Sequence, residues 1–173
     1  MAKGKIENEK TWVTDNVVFE NVSIIFRNFA GKESKYNREG NRNFCVLIED
    51  NDFAEKLASD GWNVRILMPR DEDDEPKHYL QVSVGYNFNP PEVFLLTKRS
   101  KVSLDEDTIS TLDYADIKNV DLTIRPYNWE VGSKTGVKAY LKNMYVTIND
   151  DPLADKYSNW DYGTEEAEDD LPF

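Results

Sequence analysis

Cysteine and histidine are almost missing from this chain of 173 residues: Cys45 and His78 are the only ones. A single cysteine excludes an internal disulfide, and one histidine beside it excludes a Cys/His zinc cluster. Both residues read as structural, and neither a metal nor another cofactor is expected. Long apolar runs are missing too. No stretch reaches the length needed to span a bilayer, and Met1-Ala2-Lys3-Gly4-Lys5 lacks the apolar segment of a secretory signal. No membrane partner is therefore expected, and the expected place of work is the cytoplasm. There is no glycine-rich phosphate loop, no nucleophile motif and no second histidine for acid/base work, so an enzyme is the least supported class and no catalytic residue is assigned. The length suits one folded domain with tails, and no internal repeat is present.

Positive charge is also scarce. Lys and Arg number 21 against 33 Asp and Glu, a formal net charge of -12. Phosphate binding rests on Lys and Arg, so the sum alone speaks against a nucleic-acid partner. The distribution reverses that inference. Between positions 150 and 173 nine acids (Asp150, Asp151, Asp155, Asp161, Glu165, Glu166, Glu168, Asp169 and Asp170) face one base, Lys156. A second run, Asp71-Glu72-Asp73-Asp74-Glu75, holds five more acids, which leaves the remainder of the chain at about +1 by formal counting. That run lacks the glycine and the spaced glutamate of a calcium loop and reads as an exposed hairpin turn.

Hydrophobic patterning predicts a mainly β fold. Residues 1–15 are polar, with only Trp12 and Val13 to bury, and read as a loose arm. The folded domain is expected over 16–150. Val17 to Phe29 reads as a half-buried strand with Val18, Val22, Ile24 and Phe26 on one parity, and Asn43 to Glu49 as a central strand. Asn51 or Asp52 is expected to cap a short helix carrying Phe53, Ala54, Leu57 and Ala58 on one face, with Gly61 ending it. Trp62 to Met68 and His78 to Phe88 alternate and predict a hairpin across the acidic run. Glu92 to Thr97 adds a short strand, and Asp107 to Lys118 holds one helical turn. Val120, Leu122 and Ile124 pair with Ala139 and Leu141 in a final hairpin that turns near Gly132 and Gly136. Five or six antiparallel strands with one short helix fit an OB-fold-like barrel, the oligonucleotide-binding architecture. Residues 151–173 have no apolar periodicity and are expected to form a disordered acidic tail.

The final hairpin carries the chemistry. If Val120, Leu122 and Ile124 point inward, alternation puts Arg125, Tyr127 and Trp129 on the outer face. With Ser133 and Lys134 at the turn centre, Tyr127 faces Tyr140, Trp129 faces Lys138, and Arg125 faces Lys142, two cations that a phosphate between them would reconcile. Single-strand binders use this combination, because bases stack on rings for roughly 1–3 kcal/mol each while cations follow the backbone. Lys32, Lys35, Tyr36, Arg38 and Arg42 in one loop and Lys98, Arg99 and Lys101 in another are candidates to extend the track. Duplex recognition would want a helix for the major groove, and none is predicted. Tyr and Trp are also ordinary strand residues, and a barrel packed on a partner or a second copy shows the same pattern, so the hairpin alone leaves both readings open, a homo-oligomer included. Phe44 and Trp62 read as core.

The sequence ends Glu165-Glu166-Ala167-Glu168-Asp169-Asp170-Leu171-Pro172-Phe173. This resembles the tip of bacterial single-stranded DNA-binding proteins, an acidic run followed by Ile or Leu, then Pro, then a terminal Phe. The resemblance implies that Phe173 enters an apolar pocket on a partner with its α-carboxylate against a basic residue. Leu171 and Pro172 would preorganise that contact, and Asp169 and Asp170 would steer it. The implied function is sequence-independent binding and protection of single-stranded DNA in replication, recombination or repair, with partner proteins recruited through the tip. The body departs from the bacterial family, since the opening strand with its Gly-Asn-Leu turn and the long Gly/Gln/Pro-rich linker are absent. A bacteriophage-encoded member working in the bacterial host cytoplasm is the more similar kind. An acidic tail of this sort is also expected to occupy the protein's own basic groove until DNA displaces it. The reading from another class is an acidic adaptor or DNA-mimic inhibitor, and RNA remains open beside DNA because stacking does not sense a 2′-hydroxyl.

Overall fold

The computed structural model describes residues 13–149. Eight strands occupy them: β1 (Val17–Asn28), β2 (Arg42–Ile48), β3 (Arg65–Leu67), β4 (Lys77–Val84), β5 (Glu92–Leu96), β6 (Lys101–Leu104), β7 (Ile117–Val131) and β8 (Lys134–Ile148). One α-helix, α1 (Asn51–Asp60), and one short 3-10 helix (Ile109–Asp113) complete the elements among the described residues.

Alternation along β2, β4, β7 and β8 determines how the sheet curls. Phe44, Val46 and Ile48 of β2, Leu80, Val82 and Val84 of β4, and Val120, Leu122 and Ile124 of β7 are all buried, while their neighbours point outward. A sheet apolar on one face closes on itself when its two ends can pair. Here β4, β2, β1, β7 and β8 are hydrogen-bonded in that order, and β4 meets β8 in a parallel pairing, Val82 beside Ala139 and Ser83 beside Tyr140. The result is a closed five-stranded, OB-fold-like barrel. Three further strands extend it: β3 on the free edge of β4, and the hairpin β5–β6, whose first strand runs parallel to β8 from Asn143 to Thr147. Of these, β3 and β5 match expected strands, whereas β6 and the two parallel contacts were not foreseen. The parallel contacts join segments far apart in sequence, which no local pattern announces.

Bulges keep the core apolar where alternation would fail. Asn21 and Phe26 take positive φ of 54° and 52°, and the pairing of β1 slips beside each of them. The Asn21 amide donates to Asp121 Oδ1 at 2.8 Å, which holds the first bulge. Phe19 is therefore the buried residue before it and Val22 and Ile24 turn inward after it, whereas Val18 and Phe26, expected inside, are exposed.

The helix cap falls one residue earlier than predicted. Asp50, not Asn51 or Asp52, accepts the backbone N–H groups of Asp52 and Phe53 at 3.0 and 3.2 Å, and Gly61 ends the helix with φ of 116°. Ala54 and Leu57 join the core, Phe53 packs against it, and Ala58 faces solvent. Trp62 and Phe44 are core residues as expected. In the hairpin β3–β4 the apolar parity fails, for Ile66 and Met68 are exposed: β3 is three residues long and sits outside the closed barrel. The strand expected to reach Phe88 stops at Val84. At the far end of β1, Asp113 accepts the amides of Phe29 and Ala30, and Arg27 donates to the carbonyls of Leu112 and Ala115, tying the 3-10 helix to the barrel. Val13 is buried, and its backbone exchanges two hydrogen bonds with the Asn128 side chain.

Candidate nucleic-acid interface

Where β4 meets β8 the barrel's outer surface carries a groove of about 520 Å³. Its floor comes from outward positions of three strands: Asn43 of β2, Gln81 and Ser83 of β4, and Lys138 and Tyr140 of β8. The β1–β2 loop supplies Tyr36, Asn37, Gly40 and Asn41 on one side, and Tyr86 and Asn87, which follow β4, supply another. Arg42 and Trp129 complete the aromatic and cationic lining. In OB folds the face of the second and third barrel strands and the loop between the first two hold oligonucleotides, and the groove lies on the corresponding β2–β4 face and β1–β2 loop.

Tyr140 is the centre of a cluster. The Arg125 guanidinium carbon lies 5.3 Å and Lys138 Nζ 5.1 Å from its ring centroid, and Tyr127 meets it edge-on at 6.0 Å and 89°. Arg125 also donates to the Phe88 carbonyl at 3.4 Å. Gly85 lets the ring lie close, since a Cβ there would sit 3.3 Å from Tyr140 Cε1. Gly136 has a sharper requirement. A Cβ on it would come within 2.5 Å of Trp129 Cζ2, so the indole lies flat over this glycine and no larger residue fits beneath it.

The hairpin register differs from the one expected. The two-residue turn is Gly132-Ser133, with φ of 62° at Gly132, and Val131 pairs with Lys134. Arg125 consequently faces Tyr140, Tyr127 faces Lys138, and Trp129 faces Gly136. A slip of two residues preserves which side chains point outward, which is why the outer face survives the error. Arg125 and Lys142 do not oppose each other. A bulge separates the pair Thr123–Asn143 from the pair Ile124–Leu141 and leaves Lys142 exposed without a counterpart.

Of the other sequence-predicted residues, Tyr36, 90% exposed, stands on the groove's rim with Lys35 Nζ 5.5 Å from its ring centroid, and Arg38 is exposed on the same loop. Lys32 turns away to Tyr114, whose hydroxyl it meets at 2.5 Å, and this contact raises the lysine pKa. Lys98, Arg99 and Lys101 belong to the β5–β6 hairpin and are not among the groove's lining. There Lys101 Nζ covers a stacked pair, Phe94 and Tyr145, whose centroids are 5.3 Å apart. Asp169, Asp170, Leu171, Pro172 and Phe173 lie outside the described residues, as do the rest of 151–173 and residues 1–12 of the arm.

Sequence reading missed Tyr86, Asn63, Gln81, Ser83 and Asn87, all of which line the groove. The signal was present but weak: Gln81 and Ser83 are the polar alternates of a strand whose apolar alternates were identified. Arg42 packs 5.5 Å from the Tyr86 ring centroid, and burial pushes the Tyr86 phenol up to about 12. Cys45, on the outer face of β2, is buried and free, and burial pushes its thiol up to about 11.

A family model for a phage ssDNA-binding domain matches residues 7–170. Among curated proteins none matches the sequence. Of solved structures, the single-stranded DNA-binding protein from bacteriophage Enc34 is similar, with a TM-score of 0.52 and 12% identity over 80% of this chain and 83% of that one. The Enc34 protein in complex with ssDNA gives a TM-score of 0.54 at 13% identity, over 80% of this chain and 89% of that one. At this identity the likeness speaks for the fold.

Proposed function

The chain belongs to the phage single-stranded DNA-binding family, and on that premise we propose that it coats single-stranded DNA without regard to sequence along the groove over the β4–β8 seam. The observation that carries the reading is the convergence of Tyr36, Trp129 and Tyr140 with Arg42 and Lys138 on one outward groove. Rings in such a place stack on bases of any identity, and the cations follow the backbone between them. Arg125 and Tyr127 reach the path through Tyr140. Lys35 and Arg38 add charge on its rim, whereas Lys32, Lys142 and the Lys98, Arg99 and Lys101 hairpin act at longer range, if the strand runs on past the groove.

Residues 16–150 are the DNA-binding domain in this proposal, and the role is protection of single strands during replication, recombination or repair in a host cytoplasm. The acidic residues 165–170 followed by Leu171-Pro172-Phe173 recruit partner proteins and compete with DNA for the groove. Deleting residues 165–173 is expected to tighten DNA binding at low salt and to abolish recruitment; unchanged affinity contradicts the competition.

Intrinsic tryptophan fluorescence during titration with poly(dT) and with duplex DNA tests the main reading, with Trp129→Phe to assign the signal. Quenching by the single strand only, with a log-log salt slope near -0.7 per phosphate contacted, is the expected result. No response at low salt contradicts it. The net charge of -12 then favours an acidic adaptor or DNA mimic in its place.

A further inference from the structure

Two buried polar atoms in the groove have no hydrogen-bond partner in the structure: Arg42 Nε and the Tyr86 hydroxyl. Both residues line the groove and pack on each other, guanidinium against ring. Buried donors are nearly always satisfied, so an unpartnered donor on each of two residues packed together asks for an acceptor. Burial holds the Tyr86 phenol protonated at any physiological pH, so it remains a donor.

The groove also contains an acid where phosphates would pass. Glu106 is the one carboxylate among the described residues that line it. It meets Arg42 at 3.5 Å, a long contact, with the Arg42 side chain 21% and the Glu106 side chain 56% exposed. The loop that presents it is tied by its own hydrogen bonds. The Asp105 carboxylate accepts from the amides of Asp107 and Thr108 and from the Thr108 hydroxyl, and Ile109 and Leu112 are fully buried behind it. Glu106 is thus held close enough to neutralise Arg42 and too far for a strong charge-assisted bond.

We infer that Arg42 and Tyr86 form a clamp for one backbone phosphate of the bound single strand, and that Glu106 stands in the phosphate's place when DNA is absent. This rests on the DNA-binding reading above and deepens it. Binding at this point is an exchange of anions: the Glu106 side chain swings out to solvent, and the phosphate takes its place against Arg42 Nη1. A small shift of the two side chains then turns Arg42 Nε and the Tyr86 hydroxyl, both closed to solvent in the unbound groove, onto it. The exchange lowers affinity and leaves the protein easier to displace, which suits a coat that must later be stripped. The like charge of Glu106 also discourages phosphates from lodging there without the adjoining bases.

Anisotropy of labelled oligo(dT) with the full-length chain, read with thermal unfolding of each variant, tests the clamp. Glu106→Gln is expected to tighten binding about two- to fivefold, the scale of an exposed charge pair, and the gain should vanish in an Arg42→Met background. Arg42→Met alone should reduce the salt slope by about 0.7. Tyr86→Phe should weaken binding several-fold with the unfolding temperature unchanged or raised, because a buried unpaired hydroxyl is gone. If Glu106→Gln only lowers the unfolding temperature, or its gain persists without Arg42, or Tyr86→Phe binds normally, the clamp is overturned and the pair is a structural pin. A wild-type chain that binds no single strand sinks the DNA-binding reading itself, a result distinct from normal wild-type binding with flat clamp variants.

Discussion

Tyr140 and Tyr145 stand on the outer face of the same strand, each with an aromatic partner and a lysine. The bulge at Lys142 makes this possible, since without it residues of opposite parity would point to opposite sides. Their surroundings differ. Tyr140 forms a T-shaped pair with Tyr127 and opens onto the groove that Gln81 and Asn43 also line. Tyr145 is stacked on Phe94 at an interplanar angle of 17°, with Lys101 over both rings, and neither residue lines the groove. A stacked ring has already given one face to its neighbour, whereas Tyr140 lines an open groove. Composition alone would rank the two clusters equal; the cavity and the ring geometry separate them.

The sharpest way to break this comparison is to delete each ring. Tyr140→Ala is expected to weaken oligo(dT) binding by about 1–3 kcal/mol, the value of one stacked base. Tyr145→Ala should change affinity by less than about threefold, and equal losses would show that the hairpin β5–β6 shares the path. Gly136→Ala attacks the groove from beneath. Its Cβ displaces the Trp129 indole, and overpacking of this kind costs about 1–3 kcal/mol of stability, measured by urea unfolding. Tryptophan quenching by poly(dT) should fall in that variant even where folding is restored by temperature. A smaller effect divides the lysines: on an oligo(dT) no longer than the groove, Lys138→Gln should lower the salt slope by about 0.7, and Lys101→Gln should leave it unchanged.

The smallest expected effect is alkaline. The folded state holds the Tyr86 proton more tightly than the unfolded chain does, with the phenol pushed up to about 12 against an ordinary value near 10. Stability linked to it is complete below pH 10 and falls as pH rises from 10 to 12. Tyr86→Phe should flatten urea unfolding across that window.

Much of the outer face of β7 was legible because alternation is a local rule: Arg125, Tyr127 and Trp129 follow once Val120, Leu122 and Ile124 are inside. Registers were not legible. The turn sits at Gly132-Ser133 rather than at Ser133-Lys134, and the bulges at Asn21, Phe26 and Lys142 each depend on a partner strand. The groove itself escaped reading for the same reason. Ser83 and Tyr140 become neighbours only through the parallel closure of β4 on β8, and Tyr86 and Glu106 gain their meaning from Arg42, far away in sequence. Strand β6 was hidden behind the basic run Lys98 to Lys101, which overlaps the strand only at Lys101 and reads as a loop when the pairing with β5 is unseen.

Photo-cross-linking of iodouracil-substituted single strands to the full-length chain, followed by peptide mapping, asks directly which rings touch bases. Adducts at Tyr36, Trp129 and Tyr140 are the predicted outcome, suppressed by excess poly(dT) and not by duplex. Adducts confined to Phe94 and Tyr145, with the groove rings unmodified, would contradict the central claim.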